Sequence, residues 1–305
     1  MIERPFTNLV SWVRYLSRAE IPVLKRTAID LAQLREQEEE SNNVNGRQVA
    51  SVILHDPLMT LRVLAYIETH RRSSQNADIT TIDHAVMMIG VTPFFKHFEE
   101  MPLVEDSLKG HPQALIGLLH VITRARQAAQ FARDWAVVRH DLDVDEITAA
   151  ALLHDAAEIL LWCFAPSLMM EIRSRQQQDR TLRSAAAQEA VLGTHMTELQ
   201  LALAQALHLP PLLQQLMDDE HADLPRVRNV VYAVNLARHA AHGWDDPALP
   251  DDIAGINNLL GISRSSLLER IGRITHTVPN IPEALSVLAT TALPDSAAPA
   301  PTQSK

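Results

Sequence analysis

Apolar residues recur along most of this chain at the three- and four-residue spacing of one helix face. In residues 47–68, Leu58, Leu61, Val63, Leu64 and Ile67 keep that spacing. Asp56 is placed to cap a helix there, and Pro57 suits its first position. Residues 80–90 predict a helix opened by a threonine cap and closed at Gly90. Residues 113–138 predict one long helix, and residues 143–164 another, with acids at its positive end and Pro166 beyond it. Residues 181–208 continue in helix with a break at Gly193, and Pro210 and Pro211 open a further helix through Leu213 and Leu216. Residues 226–242 are strongly periodic, and Ser266 with Glu269 is read as a capping box. Residues 36–46 read as a polar loop or a frayed helix end.

These elements predict an all-α protein. Only 9 glycines in 305 residues leave few positive-φ turns, which argues against a hairpin-rich β fold. Two prolines and a glycine in residues 99–112 suggest a boundary. The expected domains are an N-terminal helical lobe (1–112), a second helical domain (113–293) and a Pro/Ala/Ser-rich disordered tail (294–305).

Composition then narrows the function. A net charge of −10 disfavours direct binding of a nucleic-acid backbone. Arg124, Arg126 and Arg133 offer a local basic stripe, for which a solvated helix face is the preferred reading. The single cysteine, Cys163, lies in an apolar run and reads as a buried structural thiol in a reducing compartment. No secretory-type apolar core opens the chain and no long uncharged apolar stretch follows. A cytoplasmic protein without a membrane span is therefore expected.

The candidate chemistry centres on His154–Asp155, two ionisable residues inside an apolar segment. Burying them is costly unless they are paired or ligated. Taken alone, the pair is better read as a locally satisfied histidine and a capping or salt-bridged aspartate.

The wider pattern changes that reading. AALLHDAAEIL, GLLHVITRARQAAQFA and NVVYAVNLARHAA resemble the three metal-bearing helices of HD-domain proteins. The resemblance places that superfamily's ligand positions at His120, His154, Asp155 and Asn235. More closely, HDPLMTLRVLAYIE, ITTIDHAVMMIGVTPF and QEAVLGTHMTELQLALAQALHLP resemble, in order, the motifs of the HDOD family over residues of about 18–245. HDOD proteins are a degenerate branch related to HD-GYP phosphodiesterases. The resemblance implies an HD-like helical scaffold and a regulatory role in bacterial signal transduction.

The departures matter. Position 235 is Asn, a poorer ligand for a hard cation than Asp. Glu158 stands where an HD-GYP enzyme carries a basic residue, and Asp219-Glu220 stands near its double histidine. The remaining metal candidates are His120, His154 and Asp155, with His195, Glu189 and Glu158 as pocket neighbours. A bound divalent metal is not favoured, and no other cofactor is expected. Arg124 and Arg126 are candidate phosphate or ligand contacts.

The preferred reading is a non-catalytic regulatory module acting through an unidentified signalling partner or a small ligand, with a homo-oligomer open. The alternatives are a metal-dependent phosphohydrolase and a cyclic-dinucleotide sensor.

Overall fold

The computed structural model describes residues 1–70, 80–179, 181–241 and 243–275. The predicted tail at 294–305 lies outside the described residues. Among those described, the chain is helical, with a single isolated bridge between Val23 and Leu103 and no sheet.

The N-terminal half comprises α1 (Leu9–Leu16), α2 (Lys25–Ser41), α3 (Gly46–Ile53), α4 (Pro57–His70), α5 (Ile82–Ile89), α6 (Val91–His97) and α7 (Val104–Ser107). The second half comprises α8 (Pro112–Val138), α9 (Val144–Leu153), α10 (Ala156–Phe164), α11 (Pro166–Gln178), α12 (Ser184–Leu192), α13 (Met196–Ala206), α14 (Pro211–Leu216), α15 (Pro225–Ala240), α16 (Leu249–Leu260) and α17 (Arg264–Ile274).

Local chemistry sets several boundaries. Asp56 caps α4 through Leu58 N (2.9 Å) and also accepts from Leu24 N (2.9 Å), which ties the start of α2 to the start of α4. Burial raises the pKa of this fully enclosed carboxyl, although the backbone donors oppose that shift. Thr81 caps α5, and Gly90 follows it at φ 86°. Gly193 ends α12 in the left-handed region at φ 70°, where a side chain would be strained.

The helix α2 runs through Ser41, so of the two readings of 36–46 the helix end is the one observed. Two sequence expectations need correction. The cap of α17 is Ser263, which accepts from Ser266 N, so Ser266–Glu269 is not the capping box. The predicted helix over 143–164 is interrupted at His154–Asp155.

The core is built on α8, against which α9 and α15 pack. The stretch Val144–Phe164 is long and apolar enough to cross a membrane by length and composition. However, 83% of its most apolar window is buried inside the protein, as expected for a core helix pair. The segment before α2 packs on the second half: Trp12 is fully buried and donates from Nε1 to Leu192 O (3.0 Å). Ile2 N donates to Phe164 O (2.7 Å).

Candidate functional site

The interruption between α9 and α10 is held from outside. Gln200, buried on α13, donates from Nε2 to Leu153 O (3.0 Å) and accepts from Ala157 N (2.7 Å). One amide thus satisfies a carbonyl and an N–H at the two helix ends, groups that would be costly to bury unpaired. The break presents His154 and Asp155 to a cleft of about 1680 Å³, walled in part by α8, α11, α13 and α15.

At the cleft floor the side chains form one ion network. Arg124, from α8, donates from Nε (3.1 Å) and Nη2 (2.7 Å) to Asp155 Oδ2. The same Nη2 reaches Glu158 Oε2 at 2.9 Å. Arg238, from α15, donates to the other oxygen, Oδ1, at 3.2 Å. His154 Nε2 lies 2.8 Å from Asp219 Oδ1, on a short 3₁₀ turn Asp219–His221. His154 Nδ1 faces Asp155 Oδ1 at 3.7 Å, too long for a hydrogen bond, and is buried without a partner.

The electrostatics follow from this geometry. Burial disfavours the ionised form of Asp155, but Arg124 and then Arg238 outweigh it and hold the carboxyl well below its ordinary range. Burial likewise opposes a charged His154; Asp155 and Asp219 overcome it and push the pKa up to about 9. The guanidinium of Arg124 is held charged by Asp155 and Glu158 against its own burial. Three acidic side chains (Asp155, Glu158, Asp219) thus face three basic ones (Arg124, Arg238, His154) in one network.

The other predicted residues are dispersed. His120 is exposed on the cleft wall, one turn before Arg124, and makes no hydrogen bond or ion pair among the described residues. Asn235 is half-buried on α15 but does not line the cleft; Arg238, one turn later, reaches Asp155 instead. His195 and Glu189 face each other at 3.6 Å, exposed and off the cleft wall. Arg124, Arg126 and Arg133 form no basic stripe, and of the three only Arg133 lies on a solvated face as expected. Arg124 is committed to the network, and Arg126, its pKa lowered by burial, donates from Nε to His55 O. Arg133 pairs with Asp145 at 2.8 Å on the surface. Each guanidinium has found a separate partner.

Sequence reasoning missed Arg238 and Gln200, and treated Asp219 only as a lost histidine. The one available signal was position: Arg238 lies one helical turn from Asn235 and so shares its side of α15.

An HD-type scaffold implies a divalent cation at His120, His154 and Asp155. The residues do not fit one in this arrangement. The Asp155 oxygens accept from arginines, His154 Nε2 is taken by Asp219, and His120 stands apart. Among the described residues no three His, Cys, Asp or Glu side chains are placed to hold a metal ion.

Residues 21–223 match the family model of the HDOD domain. The chain belongs to the HDOD family. Among solved structures, a virulence factor (cj0248) of Campylobacter jejuni is similar at a TM-score of 0.63 and 17% identity, covering 88% of this chain and 95% of that one. The MmoQ response regulator of Methylococcus capsulatus is similar at 0.57 and 16%, covering 84% and 97%. An HDOD domain protein of unknown function from Geobacter sulfurreducens covers 92% and 98% at 18% identity, with a TM-score of only 0.43. At these identities the first two likenesses speak for the fold alone. No curated protein sequence matches the chain significantly. For an HDOD chain, the ordered motifs at 55–68, 79–94 and 188–210 fall within the matched region.

Proposed function

We propose that this HDOD chain is a non-catalytic regulatory module that acts in signal transduction by binding a protein or small ligand. The observation that carries the reading is the double capture of Asp155. Arg124 holds one oxygen and Arg238 the other, so the carboxylate needed to bind a metal and activate water is already neutralised. Displacing two charge-assisted hydrogen-bonding groups would cost any incoming cation much of its binding energy. Glu158 supports the same reading. It is engaged by Arg124 and offers no cation to a phosphate ester. The cleft above remains available to a ligand, and its volume of about 1680 Å³ exceeds that of most small-molecule sites, at roughly 300–1,000 Å³.

The test is elemental analysis of purified protein combined with a manganese-supplemented screen of phosphomonoesters, nucleotides and cyclic dinucleotides. We expect substoichiometric metal and no turnover. Asn235→Asp alone should change neither, because Asp155 stays held by its two arginines, and Glu158 and the missing double histidine still oppose a phosphate ester. One equivalent of metal with turnover lost in His154→Ala would establish the hydrolase instead. Heat on titrating an uncleaved cyclic dinucleotide would favour the sensor.

A further inference from the structure

A second concavity, of about 720 Å³, lies apart from the cleft and shares no lining residue with it. Its wall is aromatic. Tyr15 on α1 sits between Phe6 and Phe164, with ring centroids 5.7 Å and 6.1 Å away. The platform is fixed in place. Phe6 packs edge-on against buried Trp12 at 4.9 Å, and the backbone of Phe164 accepts from Ile2 N. Tyr15 nonetheless remains 38% exposed, so an aromatic face is open to solvent on a rigid support.

Two cations stand at this wall. Arg14, in the last turn of α1, and Arg18, in the turn that follows it, both line the concavity. Neither side chain makes a hydrogen bond or ion pair among the described residues. One acid, Glu20, also lines the concavity, and its Oε1 is paired with Arg62 at 3.2 Å. Both lie at the negative end of the α1 dipole, which favours a cation there. Both guanidinium groups are thus exposed beside the aromatic rings, without a hydrogen bond or ion pair among the described residues.

We propose that this concavity binds an aryl phosphate, with the ligand ring packed on the Tyr15–Phe6–Phe164 surface and the dianion held by Arg14 and Arg18. Guanidinium groups suit phosphate through paired N–H donors, and two of them match its double charge. Ring–ring contact supplies the remaining affinity and the selectivity for an aromatic group.

The experiment titrates phenyl phosphate into the full chain by calorimetry, with inorganic phosphate as the comparison. We expect saturable binding of phenyl phosphate, with inorganic phosphate weaker by about tenfold or more. Arg14→Ala with Arg18→Ala should weaken phenyl phosphate by about tenfold or more. Both residues are exposed, so folding should survive, and circular dichroism checks it. His120→Ala, on the cleft wall, should leave binding unchanged, which separates this site from the cleft and from the non-catalytic reading. Three results would each overturn the proposal: no saturable heat at about 10 mM phenyl phosphate, equal affinity for inorganic phosphate, or a double variant that binds as the wild type does.

Discussion

His154 shows how a single buried side chain acquires its role from neighbours distant in sequence. An isolated enclosed imidazole would be neutral, since burial disfavours the cation. Asp155 and Asp219 reverse that and raise its pKa to about 9. The linkage has a definite sign. The folded state binds the proton more tightly than the unfolded chain, whose histidine titrates near 6.5. The stabilisation is therefore complete below about pH 6.5 and is lost as pH rises through about 9. The difference limits the loss to a few kcal/mol. Urea unfolding at pH 6 and at pH 9.5 should show this decline in the wild type, and His154→Gln should remove most of it. A wild type equally stable at both pH values would show that His154 is not held as a cation. From the sequence, His154–Asp155 could be picked out because two ionisable groups inside an apolar run are conspicuous. The sequence offered no view of which groups neutralise them.

At the scale of elements, the decisive feature is the break between α9 and α10. Periodicity over 143–164 runs without interruption, so a continuous helix was the natural expectation. The break depends on Gln200, more than 40 residues along the chain, whose amide joins Leu153 O and Ala157 N. A tertiary hydrogen bond overrides local propensity here, and a residue pattern within the segment cannot encode it. Gln200→Ala removes both bonds and leaves a buried carbonyl and N–H unsatisfied, each at about 1–3 kcal/mol. We expect a total loss of about 2–4 kcal/mol in chemical denaturation, since the two ends can relax in part. A loss below about 0.5 kcal/mol would mean that the helix ends do not rely on this side chain. Other boundaries were legible because their chemistry is local. Asp56 and Pro57 at the start of α4, Gly90 after α5 and Gly193 after α12 each act within a few residues. Ser266–Glu269 misled because Ser263, three residues earlier, is an equally good cap and takes the N–H of Ser266.

Across the whole molecule, the all-helical architecture and the HDOD family could be read from ordered motifs, because those motifs carry the helix-packing positions of the scaffold. The state of its centre could not be read in the same way. Arg124 and Asp155 are 31 positions apart, Asp219 and His154 are 65 apart, and Arg238 and Asp155 are 83 apart. Only the packing of α8, α10, α15 and the 3₁₀ turn brings them together. Asn235 illustrates the difference: the family pattern marks it as a lost ligand, whereas in the fold it is Arg238, one turn along the same helix, that reaches Asp155. On the non-catalytic reading proposed for this chain, the two arginines and a protonated histidine stand in for the positive charge of a metal. The most direct test is a calorimetric titration of Mn²⁺ into the wild type at neutral pH. The self-neutralised network predicts no saturable heat at the cleft. One equivalent bound at micromolar affinity and abolished by Asp155→Ala would contradict it.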